Sequence, residues 1–272
     1  MEYFDAHVHL QDKRLKPFLS KILEEMSINK ISRVSVCGTC EEDWLDLEFL
    51  ARSHDPIIPS FGVHPWYVKK VSPAWADKLN QLVHKYNCGI GEIGIDGWVK
   101  GIDMGLQEEI FVKQLKLACD YDLPVTIHCV RAWDRLLKIL KSTGTPGSGF
   151  VVHSYGGLEK YIDPLAEMGA YFSFPGYFAR ENKSEQRNSF KSVPIERLLI
   201  ETDAPDQLPP PELDRFPLPG QDTKKALNNP LNIIPIYEFL SKFLNMPLKA
   251  LADIVKSNFL TVFAKVIKNK AG

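Results

Sequence analysis

The sequence of 272 residues is notable first for what it lacks. It has no run of about 18 consecutive apolar residues, the length that a membrane-spanning helix needs. Its formal charge is −1, from 33 Lys and Arg against 34 Asp and Glu, which argues against a basic surface that coats nucleic acid without specificity. The five cysteines are scattered and odd in number, and the first residues show no apolar leader pattern. We therefore expect a cytoplasmic protein without membrane spans.

What the sequence does contain is typical of a globular protein. Hydrophobic residues make up 44% and charged residues 25%, which excludes disordered, collagen-like and coiled-coil chains. The length allows two small domains, but one α/β barrel commonly takes about 250 residues.

Short β-branched or aromatic runs alternate along the chain with longer segments of helical periodicity. Eight such runs begin at intervals of 21 to 35 residues, near Tyr3, Ile31, Ile57, Gly89, Pro124, Gly149, Ala170 and Arg197. Each interval is about the length of one strand, one helix and their turns. We predict a TIM-type (β/α)8 barrel that forms a single domain over residues 1–272, with an open doubly wound sheet as the rival.

The remaining segments complete this prediction. Residues 106–121 are predicted to form a helix of the outer ring. Nine of the 19 prolines lie between Pro194 and Pro235, and residues 204–230 show no periodicity, which predicts a long irregular loop. The tail from Leu231 onwards is predicted to form two or three helices, with Pro247 in the first turn of one of them.

The strongest chemical signal is the segment DAHVHL, which contains Asp5, His7 and His9. Side chains alternate along a strand, so both imidazoles point to one side and can share a metal ion. The alternative is that His7 and His9 are ordinary interior residues that bind no metal.

Four more candidate ligands lie in or at the ends of predicted strands: Glu92, His128, His153 and Asp203. In a parallel barrel the carboxyl ends of the strands meet at one mouth, where barrel active sites are built. Nitrogen and oxygen ligands without thiolate suit a catalytic Zn, Mn or Mg site with metal at the C-terminal ends of the strands.

The motifs DAHVHL, GVHP, GEIGID, IH, HS and ETDAP follow one another in this order. Together they resemble the TatD-type metal-dependent deoxyribonucleases of the amidohydrolase-like superfamily, and the resemblance runs from Phe4 to about Phe263. It includes the segments LPVTIH, VPIERLLIETDAP and SNFLTVF. Six motifs in register across a barrel are a specific signal, although each alone is weak.

The resemblance implies two divalent metal ions and a role for each residue. His7, His9 and Asp203 would hold one ion, and His128 and His153 the other, with Glu92 as the bridge. Asp203 would also be the general base, so that Asp203 and Glu92 are the expected catalytic residues. A bridging carboxylate is what two cations about 3.5 to 4 Å apart require. DNA or another phosphodiester would be the substrate.

The match to the family departs at the rim of the expected pocket. His64 in GVHP would lie beside the substrate, and Arg131 is a weaker candidate because it stands one residue later than the family's arginine. The family's Arg-Asn-Glu-Pro segment is LNNP here, at residues 227–230, and Tyr155 stands where Phe is commoner. These departures leave room for a substrate preference that differs from the family's.

Three alternatives stay open from the sequence. The substrate could be a small phosphoester or a cyclic amide, or the barrel could be a non-catalytic scaffold that keeps its metals.

Cys37 and Cys40 have the spacing of a redox pair, but we interpret them as incidental thiols because no second pair accompanies them. Arg180 is another weak candidate for a phosphate contact. The sequence does not predict an oligomeric state.

Overall fold

The computed structural model describes residues 1–219 and 226–270. Eight parallel strands form one sheet in the order β1 to β8, which confirms the predicted TIM-type barrel over the open sheet. The strands are β1 Tyr3–Val8, β2 Ile31–Cys37, β3 Ile57–Phe61, β4 Gly89–Asp96, β5 Val125–Val130, β6 Phe150–Val152, β7 Ala170–Pro175 and β8 Leu198–Glu201.

Helices alternate with these strands along the chain. They are α1 Leu19–Ile28, α2 Trp44–Ser53, α3 Trp75–Lys85, α4 Met104–Tyr121, α5 Trp133–Thr143, α6 Ile162–Glu167, α7 Ser184–Ser189, α8 Ile233–Phe243, α9 Leu248–Val262 and α10 Ala264–Lys270. The helix predicted at 106–121 is α4, and Asp103 caps it by accepting a hydrogen bond from the backbone N–H of Leu106 at 2.9 Å.

The proline-rich segment and the tail follow the prediction with one difference. Residues 204–219 and 226–229 contain only turns and irregular backbone, and residues 220–225 lie outside the described part of the chain. The tail forms α8, α9 and α10. Pro247 is the cap that precedes α9 rather than a residue of its first turn, because its ψ of 133° is extended.

The two ends of the sheet meet at the mouth of the barrel. The backbone N–H of Asp203 donates to the carbonyl of His7 at 3.0 Å, and the backbone N–H of His9 donates to the carbonyl of Ala204 at 2.8 Å. The Thr202 hydroxyl donates to the carboxylate of Asp5 at 2.6 Å. The first and last strands are thus joined where the candidate ligands lie.

The alternation along β1 separates the site from the core. Phe4 is 2% exposed and packs its ring 5.2 Å from that of Phe259 on α9, centroid to centroid. The hydroxyl of Tyr237 on α8 donates to the carbonyl of Phe4 at 2.9 Å. Because Phe4 faces the helices, its neighbour Asp5 and then His7 face the barrel interior. None of the described helices is long and apolar enough to cross a membrane.

Candidate metal centre

Six predicted residues meet at the carboxyl ends of the strands, together with His64 from the segment after β3. The six predicted residues lie in or just after five different strands. Including His64, all are at least nine-tenths buried except His128, whose side chain is 11% exposed. The side-chain donor atoms of His7, His9 and Glu92 lie within 4.8 Å of one another, as do those of His7, His153 and Asp203 and those of His64, Glu92 and His128.

The carboxylate of Glu92 lies between two sets of histidines. Its Oε2 is 3.3 Å from Nε2 of His7 and 3.4 Å from Nε2 of His9. Its Oε1 is 2.8 Å from Nε2 of His153, 3.0 Å from Nδ1 of His128 and 3.3 Å from Nε2 of His64. Each oxygen of this one carboxylate therefore serves a different group of imidazoles.

Asp203 completes the group formed by the first strand. Its Oδ1 is 3.4 Å from Nε2 of His7 and 3.3 Å from Nε2 of His9. Its Oδ2 accepts a hydrogen bond from Nε2 of Gln207 at 2.6 Å. The backbone of Asp203 is left-handed, with φ at 53°, a conformation that non-glycine residues seldom adopt outside functional sites and turns.

Outer partners lie beside the second ring nitrogen of three of the histidines. Nδ1 of His9 lies 2.8 Å from the carbonyl of Cys37. Because a carbonyl can only accept, the neutral ring carries its proton on Nδ1, and its Nε2 then has a lone pair that points at the cluster. Nε2 of His128 lies 3.2 Å from Oδ2 of Asp96, so a neutral ring that donates to Asp96 presents an unprotonated Nδ1 to the cluster. Nδ1 of His153 faces Oε1 of Glu201 at 3.5 Å.

These contacts fit a metal site. A histidine ligand ordinarily gives its second ring N–H to a carbonyl or a carboxylate, which fixes the tautomer and aims the other nitrogen. Nε2 of His7 and Nε2 of His9 are only 3.1 Å apart, and Nδ1 of His128 is 3.2 Å from Nε2 of His153. Lone pairs this close repel unless a proton or a cation lies between them, so the donor set fits divalent cations.

The charges within the cluster also shift its titration. Burial opposes ionisation of Glu92 and Asp203, yet the surrounding histidines hold the pKa of each carboxyl below its ordinary value. Burial is the largest single effect on His9 and lowers its pKa, but the hydrogen bond to Asp203 and the negative charges of Asp203 and Glu92 together outweigh burial and raise the pKa to about 9. The pKa of His153 is lowered by burial and by repulsion from His7. The attraction of Glu92 and Glu201 outweighs both effects and raises this pKa to about 10. The cluster without metal therefore retains protons at neutral pH.

His64 behaves differently from the other four. Burial lowers its pKa to about 4, against the attraction of Glu92 and with repulsion from His128. The backbone N–H of Trp66 donates to Nδ1 of His64 at 3.2 Å, so the proton of the neutral ring resides on Nε2, which faces Glu92. A protonated Nε2 is a hydrogen-bond donor rather than a metal ligand.

Arg131 and Arg180 do not reach this cluster in the described part of the chain. Arg131 is exposed directly after β5, with a left-handed φ of 53°. Arg180 donates to the carbonyls of Leu208 and Pro209 at 3.0 to 3.2 Å, so it braces the loop that follows β8. All five cysteines are free thiols, and Cys37 contributes its carbonyl to His9.

Two buried carboxylates next to the cluster were not singled out from the sequence. Asp96 contacts His128, as above, and Glu201 accepts hydrogen bonds from the hydroxyls of Ser154 and Ser173. Both could have been found by the alternation that pairs His7 with His9, because Asp96 lies four residues after Glu92 and Glu201 two residues before Asp203.

A glycine allows β4 and β5 to approach at this point. Gly94 has φ at 149°, and a Cβ atom placed on it would lie 1.9 Å from the carbonyl oxygen of His128. A side chain is therefore excluded at position 94, midway between Glu92 and Asp96. The glycine keeps His128 close to both carboxylates.

A parallel eight-stranded barrel with buried histidines and carboxylates at its mouth is the architecture of a metal-dependent hydrolase. Comparison with known proteins identifies the family: the family model described as TatD related DNase matches residues 4–264. The chain belongs to this family.

Three relatives show how far the similarity extends. The chain is 27% identical over 264 residues to the uncharacterized metal-dependent hydrolase YabD of Bacillus subtilis, covering 96% of this chain and 98% of YabD. It is 29% identical over 209 residues to the 3'-5' ssDNA/RNA exonuclease TatD of Erwinia tasmaniensis, covering 76% and 81%. The crystal structure of the TatD homologue YjjV from Escherichia coli superposes with a TM-score of 0.87 at 25% identity, covering 96% and 98%.

Proposed function

We propose that this TatD-family metal-dependent hydrolase is a deoxyribonuclease that cleaves the phosphodiester bonds of DNA with the help of two divalent cations, Mg, Mn or Zn. The observation that carries the proposal is the two-sided environment of Glu92, whose oxygens face separate groups of histidines. The exonuclease name of a relative supports nucleic acid as the substrate class.

The residues divide into two ligand sets. His7, His9 and Asp203 would hold one cation, and His128 and His153 the other, with Glu92 shared between them. When bound, the two cations would lower the pKa of water and offset the negative charge that develops on a phosphodiester. The neutral tautomers of His9 and His128 present unprotonated nitrogens inwards for this purpose.

Asp203 is suited to accept the proton of the attacking water. Its side chain is 10% exposed at the mouth, whereas that of Glu92 is 4% exposed. The hydrogen bond from Gln207 fixes Oδ2, and Oδ1 faces the two histidines of β1. The same amide group of Gln207 also donates to the hydroxyl of Ser154 at 2.6 Å, which holds the carboxylate in one orientation.

His64 and Arg131 are proposed to contact the substrate. His64 is neutral with its proton on Nε2, which lies 3.3 Å from Oε1 of Glu92, so a phosphate oxygen bound beside Glu92 would compete for this donor. Arg131 is exposed after β5, from where a flexible cation can approach a neighbouring phosphate.

A cleavage assay tests the proposal. The purified chain is incubated with single-stranded and duplex DNA, labelled at the 3′ or the 5′ end, and with Mg²⁺, Mn²⁺ or Zn²⁺. We expect cleavage that a chelator abolishes and that His128→Ala reduces at least about 100-fold, since it removes a proposed ligand. His84→Ala is the matched control, because His84 is exposed on α3 and bonds only Tyr121 among the residues that the structure describes.

Parallel assays separate the alternatives. Hydrolysis of p-nitrophenyl phosphates, lactones or cyclic amides without any cleavage of DNA would replace the deoxyribonuclease by a small-molecule hydrolase. Undiminished cleavage by His128→Ala would refute the assigned metal centre. Two equivalents of metal without hydrolysis of any substrate would leave a scaffold.

A further inference from the structure

Two tryptophans at the mouth of the barrel are exposed although tryptophan is costly to leave in water. Of the five tryptophans, Trp66 is 45% exposed and Trp98 is 59% exposed. The others are packed: Trp44 and Trp75 are 4% and 7% exposed, and Trp133 lies on the ring of Tyr155 at 5.0 Å. The exposed pair therefore leaves aromatic surface at this end of the barrel available to a partner.

Trp66 stands beside the metal centre, and Trp98 lies in the segment that leaves the neighbouring strand β4, anchored through its backbone to Asp96. Trp66 follows β3, and its ring centroid is 5.1 Å from that of His64 and 6.5 Å from that of His128. Trp98 comes two residues after the end of β4. They thus project from adjacent strands of the barrel at its functional end.

One buried carboxylate holds both residues in place. Oδ2 of Asp96 accepts the indole N–H of Trp66 at 2.7 Å, and Oδ1 accepts the backbone N–H of Trp98 at 2.7 Å. The ammonium of Lys69 donates to the carbonyl of Gly101 at 2.5 Å, so the segment after β3 is also tied to the segment after β4. The indole of Trp66, whose N–H is already bonded, therefore offers an apolar face and no free donor.

We propose that Trp66 and Trp98 form a stacking platform for unpaired nucleobases next to the scissile phosphate, a proposal that rests on the function proposed above. Aromatic faces bind any base by stacking, whereas the bases of a duplex are already stacked on each other. The platform therefore selects single-stranded or frayed ends. It also supplies attraction that does not depend on basic residues, in keeping with the net charge of −1.

The test compares two oligonucleotides of equal length, one with normal bases and one with abasic residues throughout. For Trp66→Leu and Trp98→Leu, the ratio of kcat/KM for the normal over the abasic oligomer should fall by about 5- to 150-fold, mainly through KM, as expected for the loss of one stacked base. Trp66→Phe retains an aromatic face and should restore most of the ratio. Phe49→Leu is the control, because Phe49 is 68% exposed on α2, away from the mouth.

A binding measurement adds a readout that does not depend on turnover. A phosphorothioate oligonucleotide should quench the tryptophan fluorescence of the metal-loaded protein, and Trp66→Leu and Trp98→Leu should each remove part of the quenching. An unchanged ratio in both leucine variants of an active enzyme would refute the platform alone. A wild-type protein that cleaves no nucleic acid would refute the deoxyribonuclease, and the platform with it.

Discussion

Replacing Asp96 with asparagine is the sharpest test of how the metal centre is supported. Both carboxylate oxygens of Asp96 are acceptors: Oδ1 bonds the backbone N–H groups of Trp98 and Val99 at 2.7 and 3.1 Å, and Oδ2 bonds Trp66 and faces His128. Asparagine has one acceptor oxygen. In either orientation its NH₂ group would face donors, so one side of this network must break.

The expected loss follows from these contacts. If the amide turns its NH₂ group towards His128, the ring loses the acceptor that fixes its tautomer, and metal affinity should fall about 10- to 100-fold. That range equals about 1.4 to 2.8 kcal/mol. If the amide turns the other way, the partly buried backbone N–H groups of Trp98 and Val99 lose their acceptor, and folding stability falls by about 1 kcal/mol.

Competition with a chromogenic chelator measures the metal affinity, and urea unfolding of the chelated protein measures the stability. Asp103→Asn is the matched control, because Asp103 caps α4 away from the site and asparagine is an equally good cap. If Asp96→Asn equals Asp103→Asn in both measurements, the supporting role of Asp96 is wrong.

Three further predictions concern the cluster and the barrel wall. Glu92→Gln should reduce the bound metal from two equivalents to one or none by elemental analysis, because a neutral amide cannot offset two cations; two retained equivalents would contradict the bridging role. Tyr237→Phe removes the hydroxyl that bonds the backbone of Phe4 and should cost about 1 to 3 kcal/mol in urea unfolding, with little change in turnover. In the chelated protein the pKa values of His9 and His153 are raised to about 9 and about 10, so protonation stabilises the fold below about pH 6.5 and this contribution is lost as the pH rises towards 10. The urea midpoint should therefore fall more between pH 6.5 and 10 in the wild type than in a variant with glutamine at both positions, and an equal fall would exclude the effect.

The eight strands were predictable from sequence because each is a short apolar run followed by a helical segment of similar length. The same regularity placed the candidate ligands at one mouth, since parallel strands end together. His7 and His9 needed only the two-residue alternation of a strand. The proposed division of these residues into two ligand sets rests on the family resemblance as well.

Other features of the site depend on contacts between distant segments. The outer partners of His9 and His128 are the carbonyl of Cys37 and the carboxylate of Asp96, which are far from them in the sequence, and no local pattern specifies such a pairing. The exposure of Trp66 is similar, because a tryptophan after a strand is as readily buried as exposed. Arg131 was selected by motif position, and the structure leaves its proposed contact with substrate untested.

The junction of β1 and β8 bears on how the chain is made. Asp5 and Thr202, which hydrogen-bond across this junction, are separated by 197 positions, so a nascent chain presents His7 and His9 long before Asp203 emerges. Until β8 docks, the first strand has no partner on one side and the imidazoles have only part of their carboxylate neighbours. The candidate metal centre is therefore completed late in synthesis, and a chain that stops before β8 lacks both the closing strand and the carboxylate of Asp203.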